Sequence, residues 1–233
     1  MRSLLSAALL AAFLFPAALS AQPTDSFRVA ALVVQDEAPS AAPLPGAYES
    51  ADAWLAVVRD GRALVLTLTG QPAFDAFADA PGDPAFNARA EALLRDAFAG
   101  STDRLAAALP EHRREAGTRD FTRILDALTD RRGAVQSVRA LGTADEAAGM
   151  AATFVRVTFA DGEEVLKLKW RDGHLALVTR GVLPSVTALP VEGDARRYAV
   201  LDAAGTPSVL LTFGDGRLTV QNAVSTLVAD RVR

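Results

Sequence analysis

The side chains that could do chemistry are few and poorly spaced for it. His112 and His174 are the only histidines, some 60 residues apart, and no cysteine accompanies them. A zinc site takes three or four nitrogen or sulfur ligands, often in short motifs such as HExxH, and no such motif occurs. Both histidines read as exposed turn or helix residues. Asp161, Glu163 and Glu164 form one acidic group, and Asp25, Asp36 and Glu37 another. Paired carboxylates do acid–base work when one of them is desolvated and its pKa parts from its partner's. These acids fall at turns or in linkers, where water is expected to keep them ordinary. No Asp-x-Asp-x-Asp-Gly calcium loop is present, and Gly214-Asp215-Gly216 lacks both the third glycine and the following helix of a phosphate-binding turn. No Ser is followed three residues later by Lys, and Gly-x-Ser-x-Gly is absent, so the serine-hydrolase signatures are missing. The expectation is a non-enzymatic protein with no catalytic residue, no metal and no cofactor.

The elements that would position these groups are announced by four Asp-Gly pairs, at 60–61, 161–162, 172–173 and 215–216, each between two β-like runs. Asp-Gly favours the tight hairpin turn whose central residues take positive φ. From Trp54 the chain alternates, with Leu64, Leu66 and Leu68 on one face of a half-buried strand, and Gly70-Gln71-Pro72 ends the run. At residue 81 the period changes to that of a helix. Asp83 is the expected N-cap and Pro84 the first helical residue, with Phe86, Ala90, Leu93, Leu94, Ala97 and Phe98 on one face and Gly100 as the stop. Ser101 or Thr102 can cap a second helix, stopped by Pro110. Thr118 opens a third, carrying Phe121, Ile124, Leu125 and Leu128 on one face and ending at Gly133. Strands are expected over 134–141, 151–159, 163–170 and 174–182. On the third of these Trp170 shares a face with Leu166 and Leu168, while Val155, Val157 and Phe159 line its neighbour. Lys167 and Lys169, the only lysines, alternate with that face and should point outward. The last fifty residues return to short alternating runs: 197–201, 208–213, 217–221 and 225–233.

The chain begins with Arg2, an apolar run from Leu4 to Phe15, Pro16 and small residues through Ala21, the order of a secretory signal peptide cut after Ser20 or Ala21. A run of about 12 apolar residues is too short to span a bilayer. The mature chain would carry 23 basic and 28 acidic residues. Mild acidity argues against a nucleic-acid surface, and the pairs Arg113–Arg114, Arg131–Arg132 and Arg196–Arg197 lie among acids as solvated faces. Without cysteine an exported protein has no disulfides and depends on its core, for which about 212 residues suffice. The Arg-over-Lys bias and the abundance of Ala suggest a GC-rich bacterial genome, hence a periplasmic or secreted bacterial protein with no membrane span after cleavage. Phe27 to Val34 forms a further run of strand length, followed by a Pro/Ala/Ser linker over 39–45.

Two stretches resemble halves of one module. Gly46 and Tyr48, the hairpin at Asp60-Gly61 and Gly70-Gln71-Pro72 resemble the opening of the lipocalin-like β domain found C-terminal to serine β-lactamase-related hydrolases. Tyr198, the strand ending in Phe213, the Asp215-Gly216 hairpin and Arg231-Val232 resemble its remainder. The resemblance covers residues of about 45–80 and 186–233. Residues 84–183 are similar in element order to the cone-shaped α+β domains of the nuclear-transport-factor-like superfamily. Together these imply an α+β protein: a signal peptide (1–21), a small antiparallel barrel-like domain (22–80 and 186–233) and an inserted cone of three helices on a curved antiparallel sheet (84–183). Excising 84–183 with a short bridge would then leave a folded β domain. A curved sheet would let Trp170, Leu168, Val157, Phe159, Phe121 and Leu125 surround a pocket for a small apolar ligand; the alternative is that they fill the core. Cone-fold isomerases use an Asp base with a Tyr oxyanion donor, and the insert contains no tyrosine. The function expected is therefore a binding or accessory protein, holding a small apolar ligand or docking to an envelope protein partner. The alternatives are an atypical hydrolase or isomerase of the cone fold, marked by a buried acid of raised pKa beside Trp170, and a structural envelope protein.

Overall fold

The computed structural model describes residues 45–78, 81–147 and 149–232. The run at 27–34, the linker at 39–44 and Asp25, Asp36 and Glu37 lie outside the described residues. Three strands open the fold: β1 (Gly46–Glu49), β2 (Trp54–Asp60) and β3 (Ala63–Thr69). A short helix, α1 (Gln71–Asp75), follows, then α2 (Ala85–Phe98), α3 (Asp103–Ala108), a single 3-10 turn at 111–113 and α4 (Arg114–Arg132). Four longer strands come next: β4 (Val135–Ala147), β5 (Met150–Phe159), β6 (Gly162–Arg171) and β7 (His174–Arg180). The chain then returns through β8 (Ser185–Val191), β9 (Asp194–Leu201), β10 (Pro207–Gly214), β11 (Arg217–Gln221) and β12 (Thr226–Arg231).

Strands β1–β3 and β8–β12 close into an eight-stranded antiparallel barrel in the order β1-β12-β11-β10-β9-β8-β3-β2. The intervening strands form a separate antiparallel sheet, β4-β5-β6-β7. The molecule is thus a mixed α+β protein in which a barrel is interrupted, between β3 and β8, by helices and a four-stranded sheet. Strand β8 falls outside the short runs expected from the sequence, and it is the stave that joins β3 to β9. Closure pairs every barrel edge, which removes the exposed backbone groups that invite strand addition.

Turn chemistry decides each hairpin differently. Asp172-Gly173 and Asp215-Gly216 are the two loop residues of their hairpins, and both Asp and Gly have positive φ in each. At the other two pairs the register shifts the loop by one residue. Asp60 pairs with Ala63, leaving Gly61-Arg62 as the loop, and Phe159 pairs with Gly162, leaving Ala160-Asp161. Helix starts also move. Pro84 is the N-cap of α2 while the Asp83 side chain accepts from the Ala85 N–H at 2.9 Å. Helix α4 begins at Arg114, four residues before Thr118, because the 3-10 turn after Pro110 runs straight into it.

The barrel is filled by Leu55, Leu64, Leu66, Leu68, Leu211, Leu218 and the aromatic trio Tyr48, Phe213 and Tyr198, whose rings meet edge to face at 5.8 and 6.0 Å. Its core does not stop at the barrel. Phe74 and Phe77 from the α1 region, Leu141 and Ala144 of β4, and Ala152 and Phe154 of β5 belong to the same buried cluster. One face of the sheet therefore seals one end of the barrel. The opposite face carries a second cluster, covered by α2, α3 and α4.

Candidate functional site

The face of the sheet under the helices carries all six predicted residues in one buried cluster but spreads them along it, with Trp170 opposite Ala151 at one end of β5 and Phe159 at the other. Trp170, Leu168, Val157 and Phe159 point up from β6 and β5, and Phe121 and Leu125 point down from α4. Each is buried; the most accessible, Phe121, is 6% exposed. They pack on their own neighbours. The Phe86 ring of α2 stacks on Trp170 with centroids 5.0 Å apart, and Phe98 meets Phe159 edge to face at 5.7 Å. The Arg89 guanidinium lies 4.9 Å over the indole and donates to the Gly173 carbonyl at 2.6 Å, closing the rim. Helix α2 is what covers the indole, with Ala90, Leu93 and Leu94 buried against the sheet.

The indole N–H begins a polar chain that the sequence does not announce. It donates to Thr153 Oγ1 at 2.9 Å, and that hydroxyl lies 2.8 Å from Thr143 Oγ1. Thr143 donates onward to Asn87 Oδ1 at 2.8 Å, and Asn87 Nδ2 donates to Gln71 Oε1 at 2.8 Å. Gln71 Nε2 then donates to Asp75 Oδ1 at 2.7 Å and to the Thr143 carbonyl at 2.9 Å. The Thr143 N–H returns a bond to Gln71 Oε1 at 2.9 Å. Thr143 and Thr153 are fully buried. Satisfying such groups matters because an orphaned buried donor costs about 1–3 kcal/mol. The chain joins β6, β5, β4, α2 and α1, and ends on a carboxylate that also accepts from the Gly82 N–H at 3.2 Å.

Two charged clusters correct the reading of the sequence. Glu164 is buried, 6% exposed, not a solvated turn acid. Arg131 and Arg132 at the end of α4 and Arg180 of β7 all reach it, at 2.9, 3.0 and 2.8 Å. Burial alone would raise its pKa, but hydrogen bonds from Arg180 and Arg132 and the charges of Arg180 and Arg131 hold the carboxyl below its ordinary value. A catalytic acid would need the opposite shift. Lys167 and Lys169 do not extend into solvent. They lie on the barrel side of the sheet, 15% and 24% exposed, at 2.6 and 3.0 Å from the two carboxylate oxygens of Glu146. Lys167 also lies 5.2 Å from the Phe154 ring centroid. The reason is topological: the face opposite Trp170 is not an outer surface but the approach to the barrel. His112 and His174 are exposed. Among the described residues no three His, Cys, Asp or Glu side chains converge as a metal site.

No protein-family model matches this chain, and neither a curated protein nor a solved structure matches it.

A concavity does exist, on the other side of the helices. Between α3 and α4 runs an open groove of about 910 Å³. Thr102 and Ala106 form one wall, and Thr118, Arg119, Thr122, Arg123, Asp126, Ala127 and Asp130 of α4 form the other. These α4 positions are the face turned away from buried Phe121, Leu125 and Leu128, so the groove presents charge above small side chains.

Proposed function

We propose that this chain is an exported, non-catalytic accessory protein that acts by docking a macromolecular partner along α4 rather than by carrying a small apolar ligand. The observation that carries this reading is the closure of Trp170. Phe86 and Arg89 cover it, Thr153 holds its N–H, and the six residues of the anticipated pocket are each buried in the cluster between sheet and helices, spread along the sheet rather than around one space. The barrel interior is likewise occupied by leucine and aromatic side chains. Export is supported by the order of charge, apolar run and small residues before position 22. The barrel as a lipocalin-like domain, and the helices and sheet as a cone-like insert, are the finer fold reading we favour. The strand alternation and the order of three helices before four strands support it. Against a cone-fold isomerase stand the missing tyrosine and an arginine-clamped Glu164.

A photo-crosslinking amino acid placed at Thr122 tests the docking arm in the protein's own compartment. The expected outcome is one discrete protein adduct, absent when the crosslinker stands at Thr187 on the barrel. Equal, diffuse labelling from both positions would remove the groove as a docking site.

A further inference from the structure

Along the exposed face of α4, Arg119, Arg123, Asp126 and Asp130 stand four, three and four residues apart, which places them in one stripe of the helix. All four line the groove against α3. Two positive charges are followed by two negative ones, so the stripe is complementary to itself when a second helix runs antiparallel. With a two-fold axis between Ile124 and Leu125, Arg119 faces the second copy's Asp130 and Arg123 faces its Asp126. The symmetry repeats both pairs, making four. Thr122 then meets Ala127, and both are small enough for close approach. A parallel copy in register would set like charge on like.

The groups are available for this. Among the described residues Arg119, Asp126 and Asp130 make no ion pair, and Arg123 makes only an exposed one with Asp120 at 3.3 Å. Glu111, Arg114 and Glu115 lie N-terminal to the overlap and do not oppose one another across the axis. The two helix dipoles also run antiparallel, which is favourable. We infer that the partner docked along α4 is a second copy of this chain, in an isologous, antiparallel dimer specified by these four residues. The inference rests on the docking reading and names its occupant. Exposed ion pairs are individually weak and screened by salt, so the dimer forms at high protein concentration and low ionic strength.

Sedimentation velocity on four samples of the purified protein tests it. These are the wild type, Arg119→Asp/Arg123→Asp with four acids in the stripe, Asp126→Arg/Asp130→Arg with four arginines, and an equimolar mixture of the two variants. All four positions are exposed, and circular dichroism checks that the variants fold. The wild type should dimerise, with affinity falling about tenfold or more from low to high salt. Each variant alone should be monomeric, and the mixture should restore the dimer with an affinity at or above that of the wild type. A monomeric wild type at low salt, variants that still dimerise, or a mixture that stays monomeric overturns the second copy as occupant. If instead the Thr122 crosslink joins a different protein, the occupant is wrong while the docking reading stands.

Discussion

Glu164 is held by more positive charge than its own burial requires: three guanidiniums on one carboxylate, with Arg131 and Arg180 half in water and Arg132 further in. Its folded-state pKa lies below the ordinary value of 4.5. A depressed carboxyl adds stability that is present above the unfolded pKa and is lost as pH falls through the folded one. Urea denaturation between pH 7 and pH 3 should thus show stability declining below about pH 5, and Glu164→Gln should flatten part of that decline. At pH 7 the same substitution should cost roughly 3 kcal/mol, the low end for breaking a buried pair, because two of the arginines keep their hydration. Thr153 offers a second test. Replacing it with Val keeps the shape but strands the Trp170 N–H and removes the bond that Thr143 Oγ1 accepts, and should destabilise by about 1–3 kcal/mol in the same assay. If Thr153→Val leaves the denaturation midpoint unchanged, the buried chain is not holding the indole.

At the level of elements, the Gly70-Gln71-Pro72 turn shows what a linear reading reaches and where it ends. The turn was legible as the end of β3, and its glycine has a reason: φ is 94°, and a Cβ would collide with the Asp52 carbonyl. That the same residues start α1, and that Gln71 clasps Thr143 from both sides, was not legible. The partner is 72 positions away, and no local propensity encodes it. Strand β8 escaped for a related reason. Its Ser185 and Pro190 dilute the alternation, and its pairing with β3 across the whole insert supplies the order instead. The apolar faces of α4, β5 and β6 were readable from period alone. Whether they enclosed space or filled it was not, because periodicity puts Phe86 on the apolar face of its helix but does not say that its ring stacks on Trp170. Gln71→Ala should therefore act on two elements at once. It should cost about 1–3 kcal/mol and speed hydrogen exchange at the Thr143 amide while leaving exchange in β11 unchanged. Equal protection in both strands would show that α1 does not anchor β4.

For the whole molecule, the decisive feature is a core that crosses from barrel to sheet. Leu141, Ala144, Ala152 and Phe154 lie in the same cluster as the barrel leucines, and the Phe154 ring meets Phe74 at 5.7 Å. Excising 84–183 would leave Phe74 and Phe77 facing water at the barrel's end. The excised barrel should bind hydrophobic dye and unfold at a lower denaturant concentration than the full chain, whose unfolding should be one cooperative transition by both tryptophan fluorescence and far-ultraviolet circular dichroism. Two separated transitions would mean that the shared core does not couple the parts. The same continuity bears on the docking proposal, because among the described residues both clusters are built of buried side chains. Native mass spectrometry of the protein isolated from its own compartment tests that directly. Polypeptide mass alone is the expected result, as monomer or dimer, with nothing small released on denaturation. A stoichiometric small-molecule adduct that disappears in a folded Trp170→Ala variant would contradict it.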